Sequence, residues 1–188
     1  MTTIHIDVGT NKRLEFAFGT LAQGDAAQRL AEYFAVAEPL LQEHGIHRLG
    51  SFGVLATNRP GTAPRMGALT AWPTADNRVR LHEDPRFLAA LPTRDIAMEF
   101  LADGFLFETP DEVSELDSDE DYAVVIAKES MLDSPPLFEL RAAEDTASQE
   151  YAGRSLSLHP WSEAADRLLE SAPDGVEVFR IRFRAPSA

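Results

Sequence analysis

Apolar positions in the first half of the chain switch between a two-residue spacing and a three-to-four-residue spacing, and each switch marks an element boundary. Thr3–Val8 and Arg13–Thr20 alternate as strands, with Leu14, Phe16 and Phe18 on one face of the second and Gly9-Thr10-Asn11 between them as a hairpin turn. Asp25 stands where a helix N-cap belongs, with Gln28 in the reciprocal capping position. Leu30, Tyr33, Phe34, Ala37 and Leu41 then repeat at helical spacing until Gly45, with Pro39 inside as a kink. His47–Thr57 and Arg65–Trp72 follow as an antiparallel pair joined by Asn58-Arg59-Pro60-Gly61. Thr74 caps a helix from Ala75, Pro85 restarts it, and a further piece is expected over Thr93–Ala102, ending at Gly104. Gly104–Glu108 closes the series as a strand.

The order β-α-β-β-α-β is that of an α+β, ferredoxin-like split unit. Its two middle strands are apolar on both faces: Phe52, Val54 and Ala56 oppose Leu49 and Leu55, while Met66, Ala68 and Trp72 oppose Leu69 and Ala71. One layer of helices covers only one side of a sheet, so a second layer must cover the other.

Beyond residue 121 the pattern is sparser. Tyr122–Ala127 is strongly β-forming, Leu137–Leu140 reads as a strand or as the start of a helix through Ala147, and Arg154–His159 alternates as a strand. Ser162 caps a helix through Leu169. Val176–Arg184 sets Phe179, Ile181 and Phe183 against Arg180 and Arg182, with Arg184 continuing the basic face. This lobe is either a divergent repeat of the first or an elaboration padding a dimer of it.

Charge divides the chain. Net charge is -14 over 188 residues. Residues 1–107 hold 12 acids and 10 bases, and residues 122–188 hold 11 and 7, whereas Glu108–Asp121 holds eight acids and no base. The expected organisation is a module over 1–109, a solvated acidic linker over 110–121, and a second α+β lobe over 122–188. A calcium loop is the competing reading of the acidic run, but Asp117, Asp119 and Asp121 lack the glycine and closing Glu such a loop needs. The acidity argues against nucleic acid and anionic membrane surfaces as partners. No cysteine is present, which removes disulfides, thiolate nucleophiles and Cys-type metal sites. The opening MTTIHIDVGTNK has no apolar leader, and no apolar run nears the roughly 20 residues of a membrane span, so a cytoplasmic location is expected.

The segments EYFAVAEPLLQEHGIHRLGSFGVLA and GALTAWPTADNRVRLHEDPRFLAALPTRD resemble bacterial domains of the DUF1330 and NIPSNAP type, of the dimeric α+β barrel superfamily. Glu32-Tyr33, the Pro39-to-Gly45 helix end, Trp72-Pro73, Asp84-Pro85-Arg86-Phe87 and Arg94 carry the likeness over about residues 12–109. Phe87 departs from it, standing where the family has Tyr. The resemblance implies two sheets packed face to face with helices outside, paired between two chains of a homodimer or two modules of one chain. Cofactor-free monooxygenases, lyases, isomerases and haem enzymes all occur in the superfamily, so the fold does not choose an activity.

Candidate chemistry concentrates in the same segment. His82, close in sequence to Asp84, Arg86 and Arg94, is the candidate general base, an Asp orienting its imidazole, against the alternative of an exposed helix histidine. Arg94 matches a recurrent arginine of the family and would either face an acidic ligand or bridge helix to loop. Trp72, Phe87, Arg86 and Tyr33 would line a ligand site between sheet and helices, unless the aromatics are core. His44 and His47 flank Gly45, where an interaction with the helix end explains them better than a metal pair with Glu43, and no metal site is expected. P-loop and nucleophile-elbow motifs are absent.

The expectation is therefore a small-molecule-binding protein for an apolar or aromatic metabolite, extending to a cofactor-independent enzyme of monooxygenase or isomerase kind, with no cofactor. A non-catalytic structural or regulatory dimer is the alternative, and a haem-binding barrel the third reading.

Overall fold

A computed structural model of the chain describes residues 3–7, 13–59, 63–108, 113–142 and 152–184. In the first lobe β2 (Arg13–Leu21), α1 (Ala26–Glu43), β3 (His47–Thr57), β4 (Met66–Trp72), α2 (Ala75–Glu83), α3 (Pro85–Ala97) and β5 (Met98–Glu108) follow one another. Their strands lie side by side as β3-β4-β2-β5, all antiparallel, which is the split arrangement the element order predicts.

The second lobe contains β7 (Asp121–Ala127), β8 (Phe138–Ala142), β9 (Ser155–Pro160), α4 (Glu163–Ser171) and β10 (Glu177–Arg184). Its spatial order, β8-β9-β7-β10, repeats that of the first lobe strand for strand. No helix occupies residues 128–137, the counterpart of the position α1 holds in the first lobe. β10 pairs with β3, and β5 pairs with β8 through Phe107↔Ala142 and Glu108↔Arg141. Eight strands thus close a barrel within one chain. The second layer that the two-sided strands require is supplied by the chain's own second lobe.

Inward-facing residues fill this barrel. Leu14, Phe16 and Phe18 of β2 meet Phe52 of β3, Leu69 of β4, and Phe179, Ile181 and Phe183 of β10, all buried. Phe18 stacks on Phe179 at 4.4 Å between centroids and meets Phe52 edge-on at 5.4 Å, close to preferred aromatic geometries. Outside, α1, α2 and α3 cover the first sheet through Tyr33, Ala37, Leu40, Trp72, Leu81 and Phe87, while α4 covers the second through Ala165, Val125 and Val178. The alternation in β10 places Arg180 and Arg182 outward on either oxygen of Asp121. Burial opposes ionisation of that carboxyl, but the two arginines outweigh it and hold its pKa below the usual range.

Several expectations are corrected. Thr3–Asp7 (β1) does not form a hairpin with β2; it pairs with Val113–Asp117 (β6), inside the stretch expected as linker. Both edges of β2 are occupied, by β4 and β5, so β1 must find another partner. In β6, Leu116 joins the barrel's interior cluster, and the backbone N–H and C=O of Asp117 both bond the Tyr122 hydroxyl. The expected helical piece Thr93–Ala102 is helix only to Ala97: Met98, Phe100 and Leu101 pair with Leu21, Thr20 and Gly19, so an open edge of β2 overrides helical spacing. Asp25 sits at the N-cap of α1 but makes no capping hydrogen bond, binding Arg29 instead, and Gln28 binds Glu32. Leu137–Leu140, left between strand and helix, is resolved as strand from Phe138. The turn Gly9-Thr10-Asn11 lies outside the described residues, as does the helical continuation to Ala147.

Candidate functional site

The outer face of the first sheet carries the residues that alternate against the barrel core: Glu15, Ala17 and Gly19 on β2, and Met66, Ala68, Thr70 and Trp72 on β4. Small residues dominate the middle of this surface. The helices rest on its larger edges and leave a cavity of about 390 Å³ above Ala17 and Ala68. α1 contributes Leu30, Tyr33, Phe34 and Leu41 to its wall, α2 Arg78, Leu81 and His82, and α3 Phe87, Leu91 and Arg94.

Local interactions hold these helices in place. Just past the end of α1, Gly45 has a positive φ of 68° that lets its N–H reach Gln42 O while Ile46 N–H reaches Leu41 O. Asn77 of α2 donates to His44 O at 2.8 Å and so ties α2 to that end. Asp84 caps α3, accepting from the Arg86 N–H at 2.8 Å with Pro85 in the first turn. The Arg86 guanidinium binds both Asp84 and Glu43, and its hydrogen bonds hold the Asp84 carboxyl well below the usual carboxylate range.

Five of the six expected site residues meet at this cavity: Tyr33, Trp72, His82, Phe87 and Arg94. Arg86 does not line it and lies on the surface in its two ion pairs. The expected His82–Asp84 partnership is not formed, because Asp84 is committed to Arg86 and lies 3.8 Å from His44. His82 instead places Nδ1 at 2.8 Å from the Arg78 carbonyl, one helical turn back, which assigns a neutral imidazole's proton to Nδ1. Its ring meets Phe87 edge-on at 5.3 Å.

Polar groups are spaced around a largely apolar cleft. Trp72 Nε1 donates to Glu15 at 2.9 Å. Burial raises the pKa of the Tyr33 phenol, with Arg94 partly offsetting it, so the hydroxyl stays protonated near neutrality. Arg94 binds the neighbouring Asp95 at 2.7 Å and lies 6.0 Å from the Tyr33 ring centroid. Arg48 lies 4.3 Å over Phe34 and 3.3 Å from Glu38. Glu15, Arg48, Arg78 and Thr70 escaped the sequence reading. Each alternates outward on a strand or faces inward from a short helix, and only the register of the closed sheet turns them toward a common space.

No protein-family description matches the chain, and no curated protein does. Among solved structures it is similar to the RPA0582 protein of unknown function from Rhodopseudomonas palustris, at 15% identity over 54% of this chain and 85% of that one, with a TM-score of 0.47. A methylated RPA0582 protein overlaps at 15% identity over 54% of this chain and 82% of that one, with a TM-score of 0.46. Likeness of this degree carries no functional argument. Among the described residues no helix is long and apolar enough to cross a membrane.

Proposed function

We propose that this chain is a small-molecule-binding protein whose ligand, an apolar or aromatic metabolite, occupies the cavity between the first sheet and α1–α3. The observation that carries this reading is the cavity itself. Its volume of about 390 Å³ falls within the roughly 300–1,000 Å³ usual for small-molecule sites, and aromatic side chains with a few inward polar groups form its wall. The barrel interior, by contrast, is packed with buried phenylalanine and branched aliphatic side chains. The reading extends to a cofactor-independent enzyme through His82, whose Nε2 carries the lone pair when Nδ1 holds the proton.

We further infer kinship with the dimeric α+β barrels of DUF1330 and NIPSNAP type, in a form where two lobes of one chain replace two subunits. The repeated strand order and the closed barrel support this. The sheet surface that called for a second copy is covered inside the chain.

A thermal-shift screen of neutral aromatic and aliphatic compounds tests the binding reading. A ligand should raise the midpoint with dose, and Leu91→Trp, which fills the cavity from α3, should abolish that response while the variant still folds. Responses that survive Leu91→Trp would place binding elsewhere. His82→Ala and Arg94→Ala leaving every response unchanged would remove those residues from the site.

A further inference from the structure

Resting on that binding reading, we propose that the cavity is selective for an apolar or aromatic carboxylic acid, whose carboxylate is received by Arg78. Arg78 reaches the cavity wall from α2, and its Nε is buried with no hydrogen-bond partner in the structure. Unlike Arg48 and Arg94, Arg78 has no carboxylate partner among the described residues, so its guanidinium is the cavity-lining cation still open to an anionic acceptor, which it binds more strongly than a neutral one.

The rest of the wall agrees. Arg48, Arg78 and Arg94 line the cavity against a single carboxylate, Glu15, in a chain of net charge -14. Local positive charge has thus been concentrated where the overall composition opposes it. The carboxylates paired with the other two arginines, Glu38 and Asp95, are themselves substantially exposed and lie outside the cavity wall. Such pairs are weak and leave the cationic field of the cavity largely intact.

Glu15 decides between anions. It lines the same cavity and is already engaged by the Trp72 N–H. Its charge repels any anion, and a phosphate dianion about twice as strongly as a carboxylate monoanion, so the monoanion is the favoured guest. The apolar body of the acid would then lie over Ala17 and Ala68, between Tyr33, Phe87 and Leu91. Arg78 would bind rather than react: no bond is made or broken in this proposal.

The test compares isosteric pairs by calorimetry on the whole protein: naphthaleneacetate against naphthaleneacetamide, and decanoate against decanamide. The wild type should bind at least one acid about tenfold or more tightly than its neutral partner, the increment of one charge-assisted hydrogen bond over a neutral one. Arg78→Met should erase that preference. Arg78→Lys, which keeps the charge but not the planar guanidinium fork, should retain only part of it. Equal binding of acid and neutral partner by the wild type overturns the carboxylate assignment but leaves the cavity reading standing, as does a preference undiminished in Arg78→Met. Failure of all four compounds to bind removes both. Should Arg78→Met not fold, the wild-type comparison and Arg78→Lys still decide the matter.

Discussion

Gly67 is needed because of what faces it, since its backbone is not left-handed. A Cβ built there would lie 2.2 Å from Phe52 Cζ and 2.5 Å from Ala17 O, so the Phe52 ring packs directly on the bare backbone of β4. Gly67→Ala should destabilise the protein by about 1–3 kcal/mol through overpacking, seen as a lower urea midpoint, whereas an unchanged midpoint would mean that the ring has room to move. His159 illustrates a different single-residue effect. It is almost wholly buried, 3.4 Å from Ser134 Oγ, and burial lowers its pKa from 6.5 despite the opposing field of Glu139. The unfolded chain therefore takes up this proton more readily than the folded one. Stability attributable to His159 is fully present above pH 6.5 and declines as pH falls from there toward the lower folded value. Comparing urea midpoints at mildly acid and neutral pH should show a steeper acid loss in wild type than in His159→Gln; parallel profiles would contradict it.

Helix ends and strand edges account for most of the differences between expected and observed elements. The end of α1 was legible because Gly45 is the residue a left-handed terminus requires, and Ile46 returns to the cluster containing Leu40 and Leu41. Gly45→Ala should lower stability by about 1 kcal/mol, since alanine must adopt φ near 68° or surrender both terminal hydrogen bonds. Equilibrium unfolding measures this, and a neutral result would show that α1 can end otherwise. The end of α3 was not legible. Thr93–Ala102 keeps an apolar content suited to either element, and what converts its second half to strand is an unpaired edge of β2, contributed some eighty residues earlier. The N-terminus of α1 shows the converse: a capping pair is present in the sequence, but Arg29 competes for Asp25 and wins at 2.9 Å.

Closure of the barrel makes one interior from two lobes. Phe18 and Phe52 of the first lobe share their packing with Phe179 and Phe183 of the second, and Arg59 of the first pairs with the nearly buried Glu177 of the second at 2.8 Å. Separating the lobes would expose the inner faces of both sheets, so they should unfold together. The chain's two tryptophans provide separate reporters, Trp72 in the first lobe and Trp161 in the second. Fluorescence of Trp161→Phe and of Trp72→Phe, each referenced to its own circular dichroism transition, should coincide with it in both variants. A Trp signal departing from the backbone signal would mean that the lobes are independent domains.

Local chemistry sufficed for the split βαββαβ order and for the two-sided character of the middle strands, because periodicity, turn residues and helix stops act over a few positions; the segment in which Tyr33, Trp72, His82, Phe87 and Arg94 meet was marked by the family resemblance instead. It could not say that the covering layer belongs to the same chain, that β1 joins β6, or that Asp84 serves Arg86 in place of His82. Those outcomes are set by competition for strand edges and for charged partners distant in sequence. Arg78 belongs with them: nothing in its neighbours distinguishes it, and only the docking of α2 over the sheet turns an ordinary helix arginine into a cavity-lining cation with a buried Nε that lacks an acceptor.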